Sequence, residues 1–304
     1  MPAILQKTAP SRARVWLQLL RAPNLFTVPG DPVAGYLVSN DGFTDGSIFL
    51  VAAASLCFYG AGLLLNDLVD LSEDRLERPS RPLPAGQAKP STVRLVLWLL
   101  NALGLALLYF SGSLGALACG AATVAAVCLY NCVTKHRPVW GALTMGACRG
   151  LSMLTGALAG PSPHAVPIAA LIALSVTLYI AAVTHLARFE TRTTLPGSAR
   201  IFPVLALVPG VFIGFQNALY SPDKMPAALL FALTLGAGAL LCRRLLSKPF
   251  PLPPLIGAHI RLLLPLQAAT CWFGASQSIG PACAVGLLCL WPVSRLVSKR
   301  FYAS

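Results

Sequence analysis

Apolar residues in this chain come in long blocks rather than in short alternating ones. Blocks of roughly 20 lie near 15–38, 47–65, 92–111, 114–132, 140–159, 165–187, 201–219, 225–243 and 279–296. An α-helix of about 20 apolar residues is what a bilayer crossing needs. A further block at 254–275 carries His259, Arg261 and Gln267. It reads equally as a crossing, a re-entrant segment or an interfacial one, so the count of spans is nine or ten. Short turns such as Ser111-Gly112-Ser113 and Gly160-Pro161-Ser162-Pro163 separate neighbours. Pro23, Pro29 and Pro32 interrupt the first block, and broken helices are tolerated in membranes where protein or a polar cavity surrounds them. No small-residue cleavage site follows the basic start, so this block is not read as a removed signal peptide. The pattern predicts one all-α polytopic bundle over residues 1–304, with 1–14 as a flexible N-terminal stretch.

Composition agrees. Charged residues are 11% and hydrophobic ones 56% of the 304 residues, against about 25% charged in an average soluble domain. This excludes a disordered chain, a secreted disulfide scaffold and an ordinary cytosolic enzyme. The net charge of +13 is compatible with nucleic acid, but binding there needs a basic patch on a water-facing domain, and no segment is long enough to form one. The basic residues sort by loop instead. Counting from the N-terminus and taking every second loop, one side holds seventeen of them, Lys7 through Lys248, and the other holds Lys224 alone. The positive-inside rule places the first side in the cytoplasm, and a bacterial inner membrane suits the pattern. The tail residues Arg295, Lys299 and Arg300 obey the rule only if 254–275 crosses fully. Of nine cysteines most sit inside spans, none forms a C-x-x-C pair and the total is odd, so they read as small apolar packing groups.

The acids are not scattered. Asp67, Asp70, Glu73, Asp74 and Glu77, half of the ten, fall within eleven residues at the cytoplasmic end of the second span. On a helix Asn66, Asp70 and Asp74 recur every four residues, and Asp67 falls on the same side. Carboxylates crowded on one face repel one another unless a cation sits among them. Oxygen donors of this kind suit Mg²⁺, typically held by one or two carboxylates plus substrate phosphates. Arg75, Arg78 and Arg81 in the same loop suit the phosphate. The plainer account is a solvated helix end laced with pairs such as Asp74–Arg78. It leaves unexplained why half of all acids gather at one membrane edge, where ionisable groups usually serve function. Arg149 stands well inside the fifth span, where an unpaired charge costs on the order of 3 kcal/mol.

The stretch N-D-L-V-D-L-S-E-D followed by R-P-S-R-P-L-P-A-G resembles the first aspartate-rich motif of the UbiA superfamily of intramembrane prenyltransferases. Asn66, Asp67, Asp70 and Asp74 match, as do Arg78, Pro79, Arg81, Pro82 and Gly86. Arg21 and Asn24 resemble that family's first helix. Tyr130, Lys135, Pro138, Gly141, Met145, Gly146, Cys148 and Arg149 resemble its fourth-to-fifth helix segment. The resemblance implies a bundle of about nine helices around a central cavity, in which Mg²⁺ helps a polyprenyl diphosphate to leave and an aromatic or other lipophilic acceptor attacks the allylic cation. It implies a catalytic set of Asp67, Asp70 and Asp74, and metal ligation by Asn66, Asp70, Asp74 and Glu190. Substrate contacts fall to Arg21, Asn24, Arg78, Arg81, Lys135, Arg149 and Arg188. Duller roles stand beside these: Lys135 and Arg137 as the basic flank of a span, Asn24 as a partner for backbone freed by the prolines, Arg261 as a snorkelling interfacial residue.

One departure is plain. Another aspartate-rich motif belongs after the sixth span, where this chain reads T-H-L-A-R-F-E-T-R-T-T over 184–194, with Glu190 as its single acid. Glu190 ligates a metal or pairs with Arg188 or Arg192, and arginines here bind diphosphate directly or mark lost chemistry. The combination of an intact first motif with A-R-x-E at this later position resembles the EboC-type branch of the superfamily. That branch is associated with moving a metabolite precursor across the inner membrane rather than with standard transfer.

Overall fold

The computed structural model describes residues 11–160, 163–190, 195–246, 252–275 and 279–298. These are helical throughout, with no strand among them. The first pass is broken into α1 (Arg12–Leu19), α2 (Ala22–Leu25) and α3 (Gly30–Ser39). Proline at 23, 29 and 32 supplies no backbone donor, so the pass restarts rather than continuing. Then come α4 (Ser47–Val69), the short α5 (Leu71–Glu77), α6 (Pro90–Phe110) and α7 (Leu114–Leu129), the last running into a π-helical turn at Tyr130–Thr134. They are followed by α8 (Pro138–Leu158), α9 (Val166–Ala187), α10 (Gly197–Leu205), α11 (Val208–Ala218), α12 (Met225–Leu246), α13 (Leu252–Arg261), α14 (Leu263–Gly274) and α15 (Ile279–Ser298). Residues 1–10 of the expected flexible stretch lie outside the described residues, but Arg12–Arg14 already belong to a helix, capped by the Ser11 hydroxyl accepting from the Arg14 amide.

Among the described residues, seven helical segments are individually long and apolar enough to cross a bilayer. The other passes are made by the broken α1–α3, by α8, which carries Arg149, and by the broken pair α13–α14. The question left by 254–275 is settled by where its neighbours end. Gly274 abuts the backbone of Leu37 and Val38 at the end of α3, and the Lys224 ammonium stands 4.7 Å from the Phe273 ring centroid. That is the end of the bundle remote from the acid cluster. From there α15 returns, and the Ser294 hydroxyl donates to the Pro23 carbonyl at 3.2 Å, beside Arg21 and the acids. The stretch therefore crosses fully, the described residues trace ten passes, and Arg295 lies at the basic end.

Small residues hold the centre together. A Cβ on Gly35 would strike the Met153 carbonyl, one on Gly156 the Pro32 carbonyl, and one on Gly146 the Thr177 carbonyl. Backbones of α3, α8 and α9 thus approach to contact, as membrane helices do where glycine lines the seam. Around this seam Met153, Ile172, Tyr179, Phe231 and Leu266 are buried. On the other flank Phe58 of α4 lies against Gly104 of α6 and Gly120 of α7. Trp98, Leu99, Leu103 and Phe110 of α6 are exposed, the lipid-facing side of a membrane protein.

Candidate active site

The site begins where α4 ends. The Asp70 amide donates to the Asn66 carbonyl at 3.0 Å and the Asp74 amide to the Asp70 carbonyl at 2.8 Å. The four-residue register of Asn66, Asp70 and Asp74 therefore survives the junction with α5. The chain then folds back: the Arg81 amide bonds to the Arg78 carbonyl at 3.0 Å and Ala85 to Arg81 at 2.9 Å. Gly86 closes the turn at φ +71°, a conformation favouring glycine. This reversal brings Arg81 Nη1 to 2.8 and 3.1 Å from the two oxygens of Asp74. Arg81, not Arg78, is thus the partner of buried Asp74; Arg78 is exposed at the end of α5.

Two further elements converge on the acids. Arg21 joins α1 to α2 in a left-handed conformation, φ 43°, which costs a non-glycine residue on the order of 1 kcal/mol. It aims Nη2 at Asp67 Oδ1, 3.5 Å away. The π-helical turn, a feature frequent at functional sites, precedes Lys135. Its ammonium donates to Asn66 Oδ1 at 3.0 Å and contacts Asp70 Oδ2, while Asn66 Nδ2 donates to Asp70 Oδ2 at 3.0 Å. Two oxygens from one helix face thus close on a single cation. Each of the three aspartates has a basic partner from a different segment: Arg21, Lys135, Arg81.

Behind this charged mouth lies a cavity of about 120 Å³. Its wall runs from Arg21, Asn66 and Tyr130 to Ser55, Phe58 and Ser152 at the far end. The Asn24 side chain hydrogen-bonds Tyr59 of that wall. Arg149 also lines the cavity, yet it is not brought to Lys135. It stands about 16 Å into α8, eleven residues after its start, with Nε 2.7 Å from Asp31 Oδ2. Its Nη2 donates to the Thr27 carbonyl at 2.6 Å. Asp31 is fully buried and also accepts from Gln267 Nε2 at 2.6 Å.

The model of the UbiA prenyltransferase family matches residues 32–242 of this sequence. The chain belongs to that family. Among curated relatives, digeranylgeranylglyceryl phosphate synthase of Methanocaldococcus jannaschii is 31% identical over 102 residues, 33% of this chain and 35% of that protein. The enzyme of the same name from Methanosarcina mazei is 29% identical over 160 residues, 47% and 54% of the two chains. The chain thus spans a third to a half of the length of these relatives. Two solved structures share the fold. One, of a digeranylgeranylglyceryl phosphate synthase, has a TM-score of 0.63 at 22% identity, covering 91% of this chain and 99% of that one. The other, a UbiA homolog from Aeropyrum pernix K1, has a TM-score of 0.60 at 18% identity, covering 81% and 96%.

The segment after α9 is where the resemblance leads us to expect further carboxylates. Glu190 is exposed in the turn that follows the helix; no hydrogen bond or ion pair joins its carboxylate to another group among the described residues, and Arg192 lies outside them. Arg188 donates from Nη2 to the His136 carbonyl at 3.4 Å, near enough to Tyr130 to act on it electrostatically, without an ion pair to an aspartate among the described residues. No trio of His, Cys, Asp or Glu among the described residues is grouped for a metal. The donor set that fits one is mixed: Asn66 Oδ1 and Asp70 Oδ2, which already close on the Lys135 ammonium. That suits a single Mg²⁺ completed by phosphate oxygens and water, and nothing comparable surrounds Glu190 among the described residues. Asp31 and Gln267 were not singled out by sequence reasoning. The available signal was one acid in the first apolar block and one arginine in the fifth, opposite charges that membrane burial drives together.

Proposed function

We propose that this UbiA-family protein is an intramembrane prenyltransferase that binds an isoprenoid diphosphate at the mouth of the cavity and passes its prenyl group to a lipophilic acceptor. The observation that carries the reading is the closure of Asn66 Oδ1 and Asp70 Oδ2 on the Lys135 ammonium, with Arg21 and Asn66 on the rim of the cavity. Asn66 and Asp70 would hold one Mg²⁺, with Asp74 fixed by Arg81 as the support of the loop. Bound there, Mg²⁺ would neutralise charge that develops on the leaving diphosphate. Lys135 and Arg21 provide hydrogen-bond donors to diphosphate oxygens, the electrostatic stabilisation such a departure chiefly needs. Arg188 extends this basic rim. The apolar remainder of the cavity accommodates the isoprenoid chain away from water. The charged mouth faces the cytoplasm of a bacterial inner membrane, in keeping with the loop charges.

The Glu190 carboxylate, exposed and without an ion pair among the described residues, supports an alternative: an EboC-type protein that holds a diphosphate without transferring its prenyl group, tied to translocation of a precursor. One assay separates the two. Purified protein in nanodiscs is incubated with radiolabelled geranylgeranyl diphosphate, Mg²⁺ and an aromatic-lipid extract. Transfer that disappears in Asp70→Ala is the expected result. Saturable diphosphate binding with no product under any acceptor supports the alternative instead.

A further inference from the structure

The inner part of the cavity wall has a chemistry that the diphosphate end does not explain. Arg149 Nε pairs with Asp31 Oδ2 at 2.7 Å, as an ion pair rather than an aligned hydrogen bond. Nη2 is taken by the Thr27 carbonyl. The side chain, 11% exposed, lines the cavity with Ser152, Ser55 and Tyr59. Asp31 itself is sealed off, with 0% side-chain exposure. Gln267 Nε2 bridges Asp31 Oδ1 at 2.6 Å and the Thr27 carbonyl at 2.8 Å, so three passes, α3, α8 and α14, lock the guanidinium in place. The guanidinium and the Gln267 amide together supply the charge-compensating partners that a buried carboxylate requires.

A lone arginine in this position would attract an anion. Here its charge is matched within the wall by a carboxylate the cavity does not touch. The wall therefore offers a hydrogen-bond donor with no net charge, flanked by hydroxyls. An anion entering would lose its hydration and meet no uncompensated cation, which is costly, whereas a neutral oxygen acceptor loses little. We infer that Arg149, with Ser152, Ser55 and Tyr59, forms a subsite for an uncharged hydroxyl- or carbonyl-bearing group on a lipophilic body, and that Asp31 is the positioning residue that excludes carboxylate-bearing acceptors. This rests on the cavity being the substrate cavity of the proposed transferase.

The test uses two probes of one shape and different charge, 4-hydroxybenzyl alcohol and 4-hydroxybenzoate, in equilibrium dialysis against the full chain in nanodiscs at neutral pH. The wild-type protein is expected to bind the alcohol about tenfold or more tightly than the carboxylate. Arg149→Gln is expected to weaken the alcohol about tenfold, and Asp31→Asn to erase or invert the preference. A wild-type preference for the carboxylate, no binding of either probe, or an unchanged preference in folded Asp31→Asn would each overturn the inference. The wild-type comparison needs no variant to fold. Prenyl transfer is measured separately: its absence with the alcohol preference intact removes the transferase reading, and the reverse outcome removes only the subsite.

Discussion

Breaking the Asp31–Arg149 pair from one side should destabilise the bundle far more than removing both charges together. The perturbations are Asp31→Leu, Arg149→Met and the double variant. Leaving one buried charge without its partner costs about 3–5 kcal/mol, or some two to three and a half powers of ten in the unfolding constant. The two sides are not equivalent. Asp31 has 0% side-chain exposure and Arg149 has 11%, opening on the cavity. Without Asp31 the guanidinium still reaches water, whereas without Arg149 the carboxylate retains only Gln267. Arg149→Met therefore belongs at the upper end of the range and Asp31→Leu at the lower. The double variant replaces a charged pair by apolar groups of similar bulk, so it should cost about 1 kcal/mol or less, giving a coupling of about 5 kcal/mol or more. Unfolding in mixed micelles by detergent titration, followed by tryptophan fluorescence, measures all three. Single variants costing under about 1 kcal/mol, or costs that add to within about 0.5 kcal/mol, would refute the reasoning.

Gly156→Ala should be among the most damaging small substitutions, by about 1–3 kcal/mol, because its Cβ would meet the Pro32 carbonyl backbone; the same unfolding titration reads it. Phe58→Ala removes a side chain that packs on Gly104 and Gly120 and ends the cavity. It should cost about 3–5 kcal/mol while lengthening the isoprenoid diphosphate that binds best, checked across a chain-length series. At the remote end, burial nudges the Asp45 carboxyl upward, but hydrogen bonds from the Tyr36 hydroxyl and Ser47 outweigh it and hold Asp45 below its ordinary value of 3.8. The resulting stability is present above that value and is lost as pH falls through the lowered one. Asp45→Asn should remove this small acid dependence, visible in melting temperatures between about pH 5 and pH 2.

Much of this molecule was legible in the order of its residues. The apolar blocks foretold every pass but the one at 254–275, because a bilayer forces helices of nearly fixed length. The acid face was legible because α4 and α5 keep one register across their junction. Other features depended on distant parts of the chain. Asp74 pairs with Arg81 rather than Arg78 only because the loop after α5 reverses, and side-chain spacing along an ideal helix does not contain that turn. Arg149 was correctly placed inside a span, but its partner lies 118 positions earlier. The neutrality of the cavity wall is therefore a property of the folded chain and not of any one segment. The 254–275 block was ambiguous by composition, and the positions of Phe273 and Ser294 decided it.

The even number of passes among the described residues has a consequence for traffic. The start of α1 and the end of α15 lie at the same face as the charged mouth, and the opposite face is stitched by brief links such as 40–46, 111–113 and 219–221. Almost everything a water-soluble molecule can grip is thus on one leaflet's side. A polar head group must arrive and depart through that face, and any lipid that enters or leaves must slide in from the bilayer edge. Topological reporters placed before α1 and after α15 are expected to give the same compartment.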